Sequence, residues 1–208
     1  MENLSVVQQI INYGRTHQNT IFDVEILATH YFQTNDFDSF RQYLTRANTV
    51  LKMTQIGKGV YYIGKNPTEE DIQKAMVDFY VDNNYGMLSG LSLLYKYRLI
   101  EDEPSYVEIK CSVKRNKAIG NNKVAPTKTM ITKDNRSFRE LLEILSQQTK
   151  IECIENVGVL SELAKWYKDE YITTHLLAEY NRITFVRLKT ILDNLGIENN
   201  THNLLLRL

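Results

Sequence analysis

Phe37, Phe40, Leu44, Ala47 and Leu51 recur at steps of three and four, which predicts one apolar stripe along a single long helix. The outer face of that helix carries Asp38, Gln42, Thr45, Arg46 and Thr49, with Arg41 and Lys52 on its flank. Directly after it, Gln55-Ile56-Gly57-Lys58-Gly59-Val60-Tyr61-Tyr62-Ile63 sets a glycine turn between β-branched and aromatic residues and reads as a small hairpin. A helix that must bury one stripe and runs straight into a hairpin leaves few architectures open.

Two shorter helices precede it. Val7, Ile10 and Ile11 follow helical spacing on a segment ending near Gly14. A second helix starts at Asp23, whose carboxylate can cap it, with Ile26 and Leu27 turned inward. Three helices followed by a two-stranded hairpin is the order of a winged helix-turn-helix. Pro67-Thr68-Glu69-Glu70-Asp71 then marks a boundary, with Thr68 and Asp71 spaced as a capping box before Ile72, Ala75, Met76 and Phe79. The domain junction is expected at about residue 66.

Beyond it, a further helix is expected around Leu88 to Tyr97. Val107, Ile109, Cys111 and Val113 alternate with Tyr106, Glu108, Lys110 and Ser112 as a half-buried strand does. A short strand is expected at Thr127 to Thr132, across a polar loop containing Gly120-Asn121-Asn122. Ser137 with Glu140 has capping-box spacing, and Phe138, Leu141, Leu142 and Leu145 share a helical face. Leu160, Leu163, Ala164, Tyr167 and Tyr171 share another, and a last helix with Phe185, Leu188, Leu192 and Leu195 stops at Gly196. The expected fold is α+β and mostly helical: a winged helix-turn-helix at 1–66, then a mixed α/β domain at 67–208 with a small sheet and several helices.

With 208 residues, 43% of them hydrophobic, the chain can fill one large core or two small ones. Cys111 and Cys153 stand far apart without CxxC spacing, so neither a disulfide framework nor a cysteine zinc site is suggested. No basic leader precedes an apolar core at the start, and no apolar run is of membrane-spanning length. A cytoplasmic chain without membrane contact is expected.

Lys and Arg total 25 and Asp and Glu total 25, which argues against a uniformly basic nucleic-acid binder. Summed by segment, the balance dissolves. Residues 1–40 carry −4, 41–65 carry +5 with no acid at all, 66–103 carry −5, 104–133 carry +6 and 134–208 carry −2. The first positive stretch, Arg41, Arg46, Lys52, Lys58 and Lys65, lies on the third helix and the hairpin. In a winged helix that helix enters the major groove while the hairpin lies along the phosphates, so cations belong there. Arg41, Gln42, Thr45, Arg46 and Asn48 are the candidate groove residues, with Lys52, Lys58 and Lys65 for backbone charge. The second stretch, Lys110, Lys114, Arg115, Lys117, Lys123, Lys128 and Lys133, reads mainly as exposed lysines, although it can also meet nucleic acid or an acidic partner.

Other chemistries find little support. Gly59 to Asn66 comes within one residue of a phosphate-binding P-loop, but its interior is a bulky β run and not an open loop. Gly86-Met87-Leu88-Ser89-Gly90 has its serine one place too late for a nucleophile elbow, with no strand expected before it; Ser89 and Ser92 read as small residues that let helices approach. His17, His30, His175 and His202 lack metal-ligand spacing. Trp166, Tyr167, Tyr171 and Tyr180 read as core more than as a stacking platform for single strands. Glu108 and Lys110, an acid-x-Lys pair on one strand face, give the one enzyme alternative, a metal-dependent nuclease. A protein-interaction module using the winged helix is the other.

The hairpin Ile56-Gly57-Lys58-Gly59-Val60-Tyr61, after a helix with Leu44 and Arg46, resembles the winged helix of AbiEi-type antitoxins of type IV toxin–antitoxin systems. Tyr85-Gly86-Met87-Leu88-Ser89-Gly90-Leu91-Ser92-Leu93-Leu94 is similar to that family's Gly-Tyr-Ile-Ser-Gly-Leu-type segment, followed here by Leu99, Glu101 to Glu103, Pro104 and the strand from Tyr106 to Val113. Ile131 to Asn135 with the Leu141-Leu142 helix, and Arg187 to Gly196, extend the resemblance over most of the chain. The resemblance implies a non-enzymatic, DNA-binding autorepressor. Its amino-terminal domain would bind inverted repeats of double-stranded DNA in its own promoter. Its carboxy-terminal domain would counteract a nucleotidyltransferase toxin without a stable complex, in abortive infection by phage. It implies neither cofactor nor metal and supplies no catalytic residues.

Overall fold

Ser5 opens the first helix, α1 (Val6–Thr16), by accepting a hydrogen bond from the Gln8 amide, and Ile10, Ile11 and Tyr13 turn into the interior. In this computed structural model residues 4–147 and 157–201 are described; Cys153 and His202 lie outside them. A strand that periodicity did not predict follows, β1 (Thr20–Asp23), in which Ile21 and Phe22 are both fully buried. Asp23 then caps α2 (Val24–His30), as expected, accepting from the Glu25 and Ile26 amides. Asp36 caps α3 (Phe37–Leu51) through Ser39. The hairpin is β2 (Thr54–Gly57) and β3 (Val60–Ile63), with the register shifted between Gln55 and Gly57 and a turn through Gly59 at φ +72°. β1 pairs antiparallel with β3, on the side away from β2.

The Thr68–Asp71 capping box forms and starts α4 (Glu69–Met76), which continues into a π-helical turn at Val77–Asp82. The segment expected as one helix from Leu88 begins instead with β4 (Gly86–Leu88) and bends at Ser89 into α5 (Gly90–Lys96). Gly90 makes that bend possible at φ +56°, a conformation most side chains avoid. A strand therefore does precede Ser89, whose own backbone is extended. β5 (Glu108–Cys111) alternates as expected, with Ile109 and Cys111 fully buried.

The strand expected at Thr127 to Thr132 is absent. The β structure lies earlier, in β6 (Lys117–Ile119) and β7 (Asn122–Pro126), joined through Gly120-Asn121. Thr127 and Thr129 instead use their hydroxyls on Arg139 and Glu179.

α6 (Arg136–Ser146) starts at Asn135, whose side-chain oxygen accepts from the Thr132 amide while its own backbone amide donates to the Thr132 hydroxyl, and the expected Ser137–Glu140 box does not form. Glu140 is buried and takes Lys96 at 2.8 Å and the Tyr97 hydroxyl at 2.5 Å. α7 (Val157–Ala164), a short 3-10 turn at Asp169–Tyr171, α8 (Thr174–Leu177) and α9 (Arg182–Asn194) complete the described chain, and Gly196 follows α9 at φ +65°.

Among the described residues seven strands form one mixed sheet in the order β1-β3-β2-β6-β7-β5-β4, with β5 and β7 parallel. The fold is α+β, and helix accounts for 49% of it, about half and not most. In place of a small carboxy-terminal sheet, one sheet crosses residue 66, joined through the pairing of Gly57 with Ile119. The first core likewise runs from Ile10 through Phe22, Phe40 and Val60 to Met76, Tyr80, Ile109, Ile119 and Val124. A second core gathers Leu93, Phe138, Leu142, Leu163, Phe185 and Leu188 among α5, α6, α7 and α9.

Candidate nucleic-acid interface

Burial sets the orientation of α3. Phe40, Leu44 and Ala47 are buried, and Phe40 packs on Phe22 and Phe32 at ring separations of 6.4 and 5.1 Å. The opposite face is forced outward, so Arg41, Gln42, Thr45 and Arg46 are all exposed. Arg41 reaches Asp38 at 3.3 Å, but with side chains 64% and 91% exposed this pair is screened and leaves the guanidinium available. Thr45 bonds back to the Arg41 carbonyl.

The end of the helix has a structural task. Lys52 adopts the left-handed conformation at φ +57°, and the Asn48 side-chain oxygen accepts from the Met53 amide at 2.7 Å. Asn48 is half-buried and ends the helix with that oxygen, while the Lys52 side chain is exposed beyond it. Lys58 sits in the hairpin turn. Lys65, also exposed, lies past the far end of β3 from that turn. The eight expected residues therefore separate: Arg41, Thr45 and Lys58 line one cleft, Gln42 and Arg46 share the outer face of α3, Asn48 and Lys52 form the helix end, and Lys65 stands apart.

The hairpin turn is held from both sides. The Gly59 carbonyl accepts from the Val24 amide at 3.0 Å, and beside it Asp23 is fully buried. Both Asp23 oxygens take Lys117 Nζ at 2.7 Å, and one takes the Tyr80 hydroxyl at 2.6 Å. Burial, then the Asp23 carboxylate, hold the Tyr80 phenol protonated far above its ordinary range. Lys117 also reaches Glu25 at 3.3 Å, and Glu25 in turn accepts from the Lys114 amide at 2.7 Å. The loop entering β6 is thereby fastened to the start of α2.

That fastening brings together what the sequence separates by fifty residues and more. A cleft of about 880 Å³ lies between α3, the hairpin turn and the loop at 114–117. Arg41 and Lys58 line it from one side, Lys114, Arg115 and Lys117 from the other, and Glu25 is its one carboxylate among the lining residues. Lys114 rests its ammonium 4.8 Å from the Phe37 ring centre and is exposed, as is Arg115. The segment charge of 104–133 was the only sequence signal for these residues; nothing local says which lysines face the helix.

Most of the remaining second stretch is engaged elsewhere. Lys110 meets Glu143 at 2.6 Å, Lys123 faces Glu108 at 3.8 Å, and Lys128 donates to the Ala178 carbonyl. Glu108 also accepts from the Leu91 amide. The proposed nuclease pair is thus drawn to two different partners, Glu108 to the start of α5 and Lys110 to α6. Ser92 bridges the Tyr106 carbonyl and the Glu108 amide, so it ties α5 to β5. Tyr167 and Tyr180 are core residues, while Trp166 is exposed. His17 stacks on Tyr13 and His30 leans on Tyr85. Among the described residues no three His, Cys, Asp or Glu side chains gather as a metal site requires, and no helix is long and apolar enough to cross a membrane.

No family model matches this chain, and no curated protein matches it significantly.

Proposed function

We propose that the protein binds duplex DNA through the outer face of α3 and the β2–β3 hairpin and acts as a transcriptional autorepressor in the cytoplasm. One observation carries this reading: the face of α3 that packing turns outward is the face bearing Arg41, Gln42, Thr45 and Arg46. The order α1-β1-α2-α3-β2-β3, with its strands arranged β1-β3-β2, is also the order of a winged helix-turn-helix, which supports the same reading. Arg41 and Arg46 have the reach and donor geometry for guanine edges or phosphates, and Gln42 offers an amide to adenine. Inverted repeats one helical turn apart require two copies of α3, from a dimer or from two bound chains.

The resemblance to AbiEi-type antitoxins extends the proposal. The chain would repress the promoter of its own operon, while the part beyond residue 66 counteracts a nucleotidyltransferase toxin without holding it in a stable complex. Titrating the chain against its upstream promoter duplex at defined salt tests the DNA reading. Arg46→Ala should cost about 1–3 kcal/mol of binding, and Lys58→Ala should lower the salt slope by about one. Absence of affinity at low salt refutes it. Rescue of growth when the chain is co-expressed with a nucleotidyltransferase encoded beside it tests the second part.

A further inference from the structure

We infer that the cleft between α3 and the loop at 114–117 holds the phosphate backbone of the bound duplex, with Lys114 and Arg115 supplying phosphate contacts from outside the helix-and-hairpin unit. The inference rests on the DNA reading above and enlarges its surface. A recognition helix in the major groove brings the phosphates of the groove wall against its own flank, and the flank of α3 bearing Arg41 faces this cleft.

Four cations line it without being consumed in a buried pair: Arg41, Lys58, Lys114 and Arg115. The fifth, Lys117, is taken up by Asp23 at 2.7 Å and Glu25 at 3.3 Å, and its single charge shared between two carboxylates leaves that cluster one net negative charge against the four cations. Lys117 is therefore a positioning residue. It fixes the loop, draws Glu25 towards itself and leaves Lys114 and Arg115 exposed to meet an anion.

Three separate attachments hold the loop in place: the Lys114 amide on Glu25, Lys117 on Asp23, and β6 on β2 at Gly57. A loop backbone anchored before binding loses less on association than a mobile one, which favours a phosphate site here over a merely charged surface. The Tyr61 and Phe37 rings line the cleft together with these cations.

The test uses the full chain with a 30-base-pair duplex of the upstream region and a scrambled duplex of equal composition, read by fluorescence anisotropy between 50 and 200 mM salt. Each phosphate contact contributes about 0.9 to the slope of log affinity on log salt. The double variant Lys114→Ala/Arg115→Ala should therefore lower the slope by about 2 on both duplexes. Taking the release term to vanish near 1 M salt, two contacts correspond to roughly 30-fold weaker binding at 0.15 M. Arg115→Lys should keep the slope, Arg115→Gln should lose about one, and Lys165→Ala, at an exposed lysine just after α7, should change nothing. Both substituted side chains are exposed, and an unchanged thermal melt of the double variant checks that the fold is intact. If Arg46→Ala and Lys58→Ala weaken binding but the double variant keeps the full slope, this inference is overturned and the DNA reading stands. If the unsubstituted chain binds neither duplex at 50 mM salt, both fall.

Discussion

Replacing Lys117 with Met removes the bond that fastens the loop at 114–117 to α2, and the geometry around Asp23 sets the size of the effect. Asp23 is fully buried and receives the Glu25 amide at 2.9 Å, the Ile26 amide at 3.2 Å, the Tyr80 hydroxyl at 2.6 Å and Lys117 at 2.7 Å. Leaving a buried carboxylate without its cation costs about 3–5 kcal/mol. Here three donors remain, so the lower end applies, about 3 kcal/mol. Glu25 adds little, because its side chain is 22% exposed and can turn to water. With a urea dependence of about 1–3 kcal/mol per molar, the midpoint should fall by roughly 1–3 M at unchanged slope. Asp23→Asn removes the charge that Lys117 compensates. In that background the Lys117→Met cost should shrink to about 1 kcal/mol or less, a coupling that a double-mutant cycle reads directly. A loss below 1 kcal/mol for Lys117→Met alone, or additivity within about 0.5 kcal/mol, would show that the pair does not hold the two halves together.

Gly90→Ala should destabilise by about 1–2 kcal/mol from its left-handed backbone alone, and the added Cβ must also displace the Glu108 carboxylate; a neutral result in urea melts would contradict the turn described. Thr68→Ala should cost about 1 kcal/mol at pH 7 through loss of the cap. The Thr68 hydroxyl and amide hold the Asp71 carboxyl below the ordinary range. Its contribution is therefore complete above the ordinary value of 3.8 and fades as pH falls through the lower folded value, so the gap between Thr68→Ala and the unsubstituted chain should narrow as the pH is taken down below 3.8. Burial pushes the Cys111 thiol up to about 12, and the side chain is fully buried. In a Cys153→Ser chain, Ellman's reagent at pH 8 should find no reactive thiol until urea is added; immediate labelling would mean that β5 opens freely.

The elements legible in the sequence are those whose reasons are local. α3 carries its stripe within fifteen residues, the hairpin carries its glycine, and the caps Asp23 and Thr68 sit next to the helices they start. β1 escaped because Ile21 and Phe22 are adjacent and both buried, which removes the alternation a half-buried strand shows. β6 is three residues long and begins with a lysine whose partner, Asp23, is 94 positions away, so charge alone made it read as solvent-facing. Thr127 to Thr132 looked like a strand because Thr is β-branched, but its hydroxyls serve a buried Arg139–Glu179 pair. In α6 the charged Arg139, Glu140 and Glu143 are buried, because Lys96, Lys110 and Glu179 arrive from other segments to pair with them, and no local pattern announces those partners. Within the candidate interface the outer face of α3 was legible for the local reason, and the far wall of the cleft was not.

The pairing of Gly57 with Ile119 also orders events in time. During synthesis β2 emerges 62 residues before the strand that covers its outer edge. At about 5–20 residues per second, the nascent hairpin waits roughly 3–12 s with one row of backbone donors and acceptors open. An open edge of that kind invites pairing with a neighbouring chain. The register shift at Gln55–Gly57 sits on that edge and twists it away from flat pairing until β6 arrives.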